Sequence, residues 1–221
     1  MFAAVALLVA TAGAPQEIRL RPTDDVWVYS YASDPAGDTF LRAWGMGGTS
    51  VPDDPSMVDG YSFGYLRFDV SKAPAGAKLA SARLDLTSTA NPGYALDDAK
   101  SSPLEVRALS GMFKEGGWNY EKAGAVHPMP GLAGLFGFTH PDAMPKKDQT
   151  FVLSVDLLHG KGDFSTYLAT AEAGKDKAVC LAICSALDPA SQGRESIYKV
   201  YSREGPPGTE PVLRLTFASS R

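Results

Sequence analysis

Two short runs of the sequence alternate between apolar and charged residues, which is the pattern of a half-buried β-strand. In GYLRFDV, Leu66, Phe68 and Val70 fall on one face, and Arg67 and Asp69 fall on the other. The run SARLDL at 81–86 repeats the arrangement, with its Ala and Leu residues opposite Arg and Asp. A loop containing Lys, Pro, Ala and Gly separates the runs. The pattern therefore predicts a two-stranded ribbon over 64–86 with its even-numbered side chains inside.

Similar runs recur along the chain, separated by clusters of Gly, Pro, Asp and Asn that are typical of turns. They lie at 18–21, 26–29, 39–44, 104–109, 151–157, 178–184, 197–202 and 212–217. One helix is predicted after Asp163, a suitable N-cap, with Gly174 at its end. Many strands with one short helix and no βαβ alternation predict an all-β antiparallel sandwich. We expect residues 15–221 to form one domain, with 111–149 as a long surface excursion.

The run AVCLAIC at 178–184 is apolar on both faces, which favours a central strand. It holds both cysteines of the chain, Cys180 and Cys184. Four residues of extended strand separate their Cα atoms by roughly 13 Å. A disulfide needs less than about 7 Å. We therefore predict two free, buried thiols.

The net charge and the N-terminal sequence limit the kinds of function that the protein can have. The net charge is −4 and the pI is about 5.4, which argues against a nucleic-acid partner because phosphate binding needs a basic field. The apolar stretch Phe2–Ala10 is too short to span a bilayer. With Ala10 and Ala12 as a cleavage site, residues 1–14 fit an export segment and a secreted or envelope location. The alternative is a buried first strand or a frayed end.

The order of several motifs resembles the DNRLRE-type domain, which is related to carbohydrate-binding module family 96. The motifs are DDVWVYSY, GYLRFDV with SARLDL, and YSREG with EPVLRL, and the resemblance spans about residues 17–219. It departs from the family pattern at 36–38 and at 155–157. The resemblance implies a sandwich of jelly-roll type, export and the binding of polysaccharide, including acidic polymers such as alginate.

Aromatic residues are candidate sugar platforms, because the C–H faces of sugar rings pack on them. Trp27 and Tyr29 share one strand face, Trp44 follows Arg42 on another, and Trp118 lies in the long excursion. The alternative is that a loop or helix covers these rings.

Arginines are candidate ligands for uronate carboxylates, which their planar fork matches. Arg67 and Arg83 qualify if they line one groove. Alternatively, if the two strands are neighbours, unlike charges pair across them and only hold the register. Arg203 is expected to reach a carboxylate such as Asp69, and becomes a ligand residue if no partner is present.

Evidence for catalysis or a metal is weak in the sequence. His127, His140 and Tyr120 share the long excursion and leave a polysaccharide lyase or hydrolase open as a third choice. Acid-rich turns at 24–25, 53–59 and 97–98 would suit a structural calcium, although solvated carboxylates are the default. We expect a non-catalytic, cofactor-free module that binds polysaccharide or cell-surface glycan. A structural or adhesive envelope domain is the alternative.

Overall fold

The computed structural model of the protein describes residues 14–32 and 35–219. Apart from Ala14, the predicted export segment lies outside these residues. The described chain forms eleven strands, numbered in chain order: β1 Gln16–Leu20, β2 Asp24–Val28, β3 Phe40–Ala43, β4 Phe63–Asp69, β5 Leu79–Ser88, β6 Leu104–Ala108, β7 Leu135–Thr139, β8 Phe151–Asp156, β9 Ala178–Ser185, β10 Tyr198–Tyr201 and β11 Val212–Phe217. Three short helices accompany them: α1 Leu96–Ser101, α2 Phe164–Ala173 and α3 Pro189–Gln192. The turns Pro55–Met57 and Tyr120–Gly124 are 3₁₀-helical.

The strands form two antiparallel sheets that face each other. The first sheet has the order β1-β11-β5-β10-β3, and its sixth strand, β8, lies outside this order and pairs with β5. The second sheet has the order β2-β4-β9-β6-β7. The predicted all-β antiparallel sandwich is confirmed. No helix within the described ranges is both long and apolar enough to cross a membrane.

The two strands of the opening pattern contribute to the core from opposite sheets. Leu66 and Phe68 of β4 and Leu84 and Leu86 of β5 are fully buried in one apolar cluster between the sheets. The alternation therefore identified the inward faces correctly. The predicted two-stranded ribbon is wrong, however, because β4 pairs with β2 and β9, whereas β5 pairs with β11, β8 and β10. The segment 70–78 carries the chain from one sheet to the other.

The second sheet is buried on its outer face as well. Every residue of β9 is buried: alternate side chains, such as Leu181, enter the core between the sheets, and Cys180, Ala182 and Cys184 enter an outer apolar cluster. Segments 58–61 and 109–126 cover that outer cluster, with Phe113 among the covering side chains. Both thiols are free, as predicted.

The predicted helix is α2. The Asp163 side chain accepts a hydrogen bond of 3.0 Å from the backbone N–H of Thr166, and the N–H of Gly174 donates to the carbonyl groups of Thr170 and Ala171. Phe164 and Leu168 are its buried side chains.

The sequence analysis missed β7, which lies within the predicted surface excursion. Gly137 interrupts its apolar pattern, and glycine in a strand weakens the sequence signal. A Cβ at this position would lie 2.2 Å from the carbonyl oxygen of Asp156, so the close approach of β7 to β8 requires glycine. Helices α1 and α3 were also missed, because six and four residues are too few to show a helical period.

The burial of both cysteines predicts their chemical behaviour. Burial raises the pKa of Cys180 to about 11 and that of Cys184 well above its ordinary value. Because the thiolate is the reactive form, we expect neither thiol to react with Ellman's reagent in the native protein at neutral pH. Both should react once the protein is unfolded in denaturant. Reaction of the native protein at the rate of a free thiol would contradict the buried position of β9.

Candidate ligand groove and acidic cluster

Aromatic side chains gather where the edge strands of the two sheets meet. In the described part of the chain, β2 pairs only with β4 and β3 pairs only with β10, so each ends its sheet on this side. Trp27 and Tyr29 stack with ring centroids 6.0 Å apart, and Trp44, just after β3, meets Tyr29 edge to face at 4.8 Å. Trp27 and Tyr29 are partly buried, and Tyr31 continues the row with 77% of its surface exposed.

Trp44 anchors this aromatic row. Its indole N–H donates a hydrogen bond of 2.9 Å to the carbonyl oxygen of Gly60, and its backbone forms a bridge with Ser62. The ring is only 9% exposed. Trp44 is therefore held in place by the loop before β4, whereas Trp27 and Tyr29 keep part of their surface in solvent.

Arg42 lies over the row. Its guanidinium carbon is 4.4 Å from the centroid of the Trp27 ring, and Nη1 is 2.5 Å from Oδ2 of Asp38. A guanidinium over a Trp face is favourable when partly desolvated. Asp38 and Trp27 therefore fix the position of this cation at the rim.

A second cation lies directly opposite Arg42. The register of β3 and β10 pairs Arg42 with Lys199, whose ammonium group lies 4.0 Å from the Phe40 ring centroid. Burial, and then the positive charge of Arg42, lower the pKa of Lys199 below its ordinary value. Like charges directly opposite each other destabilise a sheet. The pair therefore concentrates positive charge at a cost to the fold.

Three cavities run through these residues. The first, of about 120 Å³, is lined by Trp27, Tyr29, Trp118 and Tyr120 among others. The second, of about 460 Å³, shares Trp27 and Tyr29 with the first and adds Arg42, Trp44 and Arg194. The third, of about 490 Å³, shares Arg194 and Ile197 with the second and adds Phe40, Lys199 and Tyr201. Because neighbouring cavities share walls, we treat them together as one feature, the groove.

The groove unites five of the residues that the sequence analysis proposed as ligands: Trp27, Tyr29, Arg42, Trp44 and Trp118. Trp118 also packs edge to face against Tyr65 and Phe113, so it is partly a structural residue.

Two cations of the groove were missed. Arg194 follows the unpredicted helix α3, is exposed, and makes no ion pair within the described residues. Lys199 lies in the predicted strand at 197–202, on the outward face that alternation predicts for it, but the sequence analysis did not consider it as a ligand.

The remaining proposed arginines lie away from the groove. Arg67 is on the outer side of the second sheet, where Nη1 is 3.1 Å from Oδ2 of Asp24 and 3.0 Å from the hydroxyl of Thr23. Arg83 is exposed on the first sheet, with Asp156 and Arg214 as its cross-strand neighbours. They form no common surface, because their strands belong to opposite sheets.

Arg203 joins an acidic cluster instead of the predicted partner Asp69. Its Nη2 is 2.7 Å from Oε2 of Glu115, its Nε is 2.7 Å from Oε1 of Glu204, and its backbone N–H donates a hydrogen bond of 2.8 Å to Oδ2 of Asp25. Asp69 instead accepts a hydrogen bond from the backbone N–H of Ser71, the next turn along the chain. The expected tie to the middle of the sheet is therefore wrong: Arg203 connects the turn after β10 to the edge strand β2 and to the long excursion.

Asp25 is the most buried member of this cluster, with 1% of its surface exposed. Burial raises the pKa of Asp25 to about 7, and the charges of Glu204 and Glu115 act in the same direction. Two carboxylate oxygens of the cluster, Oδ1 of Asp25 and Oε2 of Glu204, are buried and accept no hydrogen bond from the described residues. One carboxylate oxygen from each of Asp25, Glu115 and Glu204 lies within 4.8 Å of the other two.

The histidines are engaged locally. The Nδ1 atoms of His127 and His140 each lie 3.1 Å from the carbonyl oxygen of the proline that follows, and His159 is 3.1 Å from Asp156. Among the described residues, no hydrogen bond or ion pair links His127 or His140 to Tyr120.

Neither the protein-family models nor the curated proteins contain a match to this chain. Its function must therefore be inferred from the geometry of these two sites.

The charge pair in the groove gives a direct test of the geometry. We expect Arg42→Gln to raise the pKa of Lys199, because removing the neighbouring positive charge relieves the repulsion that disfavours the ammonium form. The NMR signal of the Lys199 Cε, followed during a pH titration, would measure the change. Arg83→Gln is the matched control and should leave the pKa of Lys199 unchanged. A Lys199 pKa that stays constant or falls in Arg42→Gln would contradict the register of β3 and β10.

Proposed function

We propose that the protein is an exported, non-catalytic module that binds an acidic polysaccharide in the groove. The observation that carries the proposal is that three neighbouring cavities share lining residues and have both aromatic rings and cations in their walls. Residues 1–14 supply the expectation of export, and the motif resemblance points independently to polysaccharide.

The aromatic walls suit sugar rings. Trp27 and Tyr29 present partly exposed ring surface between two cavities, and Phe40 and Tyr201 pack together with centroids 5.0 Å apart in the third. Sugar rings pack their C–H faces on such surfaces while their hydroxyl groups contact polar neighbours. Because aromatic surfaces line three neighbouring cavities, we expect several sugar units to bind and not a single small ligand.

The cations suit carboxylate or sulfate groups on those sugars. Arg42, Arg194 and Lys199 line the same path, although the chain as a whole is acidic. Arg42 and Lys199 repel each other across the strands, and a bound anion would relieve that repulsion. Arg194 has its full hydrogen-bonding fork available for a bidentate contact with an acidic group.

The outer face of the first sheet supports a second candidate, a structural or adhesive envelope domain. Arg214 lies 2.5 Å from Asp85, and Arg19 lies 2.7 Å from Glu17, so four of the charged side chains on this face form two ion pairs. Such a ladder keeps a sheet soluble and in register without any ligand. On this alternative, none of the polymers tested below would be retained.

The charge component is tested by Arg194→Ala in affinity gel electrophoresis with alginate, a heparin-like polymer and a neutral glucan. We expect about a tenfold loss of retention by the acidic polymers and a weaker dependence of binding on salt, because one screened ionic contact is removed. Arg194 makes no ion pair with any residue that the structure describes, so thermal stability should not change.

Arg83→Ala is the matched control, since Arg83 is also an exposed arginine without an ion pair among the described residues. Equal losses in both variants would show that binding follows net charge and not the groove. Unchanged migration of the wild-type protein in every polymer would overturn the proposal.

The aromatic component is tested by Tyr29→Ala. Loss of this ring should weaken binding to all retained polymers by about tenfold without changing the salt dependence, because stacking does not depend on charge. Phe138→Ala, which removes a ring that is 54% exposed on β7, is the control and should bind as the wild type does. If Tyr29→Ala bound the polymers with wild-type affinity, the aromatic row would not be part of the binding site.

A further inference from the structure

We propose that Asp25, Glu115 and Glu204 bind a hard divalent cation, with Ca²⁺ as the ion that best fits the donor set. This site is separate from the groove and does not depend on the proposed glycan function. The sequence analysis considered Asp25 only as part of an acid-rich turn and did not consider the other two acids.

Three distant parts of the chain meet at this point. Asp25 comes from β2, Glu115 from the long excursion, and Glu204 from the turn after β10. Hydrogen bonds join them: the N–H of Asp25 donates to Oε2 of Glu115, and the N–H of Glu115 donates to Oδ1 of Asp24. A bound ion would therefore cross-link both sheets and the excursion that covers the second sheet.

The buried carboxylate oxygens provide the second observation. Asp25 is almost completely buried, and its Oδ1 accepts no hydrogen bond; the Nε of Arg203 is its ion-pair partner at 4.0 Å. Oε2 of Glu204 is also buried without a hydrogen bond. An unsatisfied buried carboxylate oxygen is costly unless a proton or a cation neutralises it.

The local charge leaves room for a divalent ion. Asp24 is paired with Arg67, so the remaining charges are three carboxylates and the guanidinium of Arg203. Arg203 uses Oε2 of Glu115 and Oε1 of Glu204, which leaves one oxygen of each acid available among the described residues: Oδ1 of Asp25, Oε1 of Glu115 and Oε2 of Glu204. Two net negative charges remain, and one divalent cation would balance them.

The donors identify the class of cation. All three are carboxylate oxygens, without a thiolate or imidazole among them, and oxygen-only sets suit Ca²⁺, Mg²⁺ or Mn²⁺ over Zn²⁺ or Cu²⁺. Ca²⁺ tolerates irregular geometry and backbone carbonyl ligands, whereas Mg²⁺ demands a near-ideal octahedron. The site is built from one strand, the long excursion and one turn, and such an irregular arrangement favours Ca²⁺.

Calorimetric titration of the EDTA-treated full-length protein with CaCl₂ at mildly alkaline pH tests the site. We expect saturable binding of one Ca²⁺ with a micromolar to millimolar dissociation constant and a rise in the thermal midpoint. Glu204→Gln retains an oxygen for Arg203 but loses the charge, and should weaken Ca²⁺ binding by about tenfold or more. Asp25→Asn should have the same effect.

Asp53→Asn is the matched control, because Asp53 belongs to another acid-rich turn and is exposed. It should bind Ca²⁺ as the wild type does. If Asp25→Asn does not fold, Glu204→Gln decides the matter, since Glu204 is only partly buried. The absence of Ca²⁺ binding to the wild-type protein, or wild-type affinity in Glu204→Gln, would overturn the proposal and leave Arg203 as the sole neutralising group.

Discussion

The burial of the second sheet on both faces is the constraint on which the arrangement of the molecule depends. One face of β9 enters the core between the sheets, and the other, with Cys180 and Cys184, enters the outer cluster beneath the long excursion. A sheet covered twice has no free face for a ligand. At the two edges of this sheet, aromatic surface stays accessible: Phe138 on β7 is exposed, and Trp27 on β2 and Tyr29 just after it are partly exposed.

The groove follows from the meeting of the β2 edge with the edge of the first sheet. β3 and β10 bring Arg42 opposite Lys199, and aromatic rings lie against both cations. Asp38 offsets part of the repulsion. Like charges directly opposite each other cost stability, and an anionic ligand would offset that cost. Asp25 of the acidic cluster lies on the same strand as Trp27, two residues before it.

The sequence was a better guide to which residues are buried than to which residues contact each other. Alternation identified the inward faces of β4 and β5, but a period of two is the same whichever strand lies alongside, so it assigned the strands to one ribbon instead of two sheets. Trp27, Tyr29 and Trp44 were found because they lie in periodic runs of the sequence, whereas Trp118 was found because it lies in the long excursion. Arg194 and Glu115 lie in segments without periodicity, and only the folded chain brings them to Trp44 and Asp25.

We propose that the groove where the edges of the two sheets meet binds acidic polysaccharide. An NMR titration with alginate oligosaccharides tests it most directly, because the chain has only three indole signals to follow. If the polymer binds in the groove, the indole signals of Trp27 and Trp44 and the amide signals of Arg194 and Lys199 should show saturable shifts, and the amide signals of Arg83 and Arg214 should stay unchanged. Shifts confined to the outer face of the first sheet around Arg83 would contradict it.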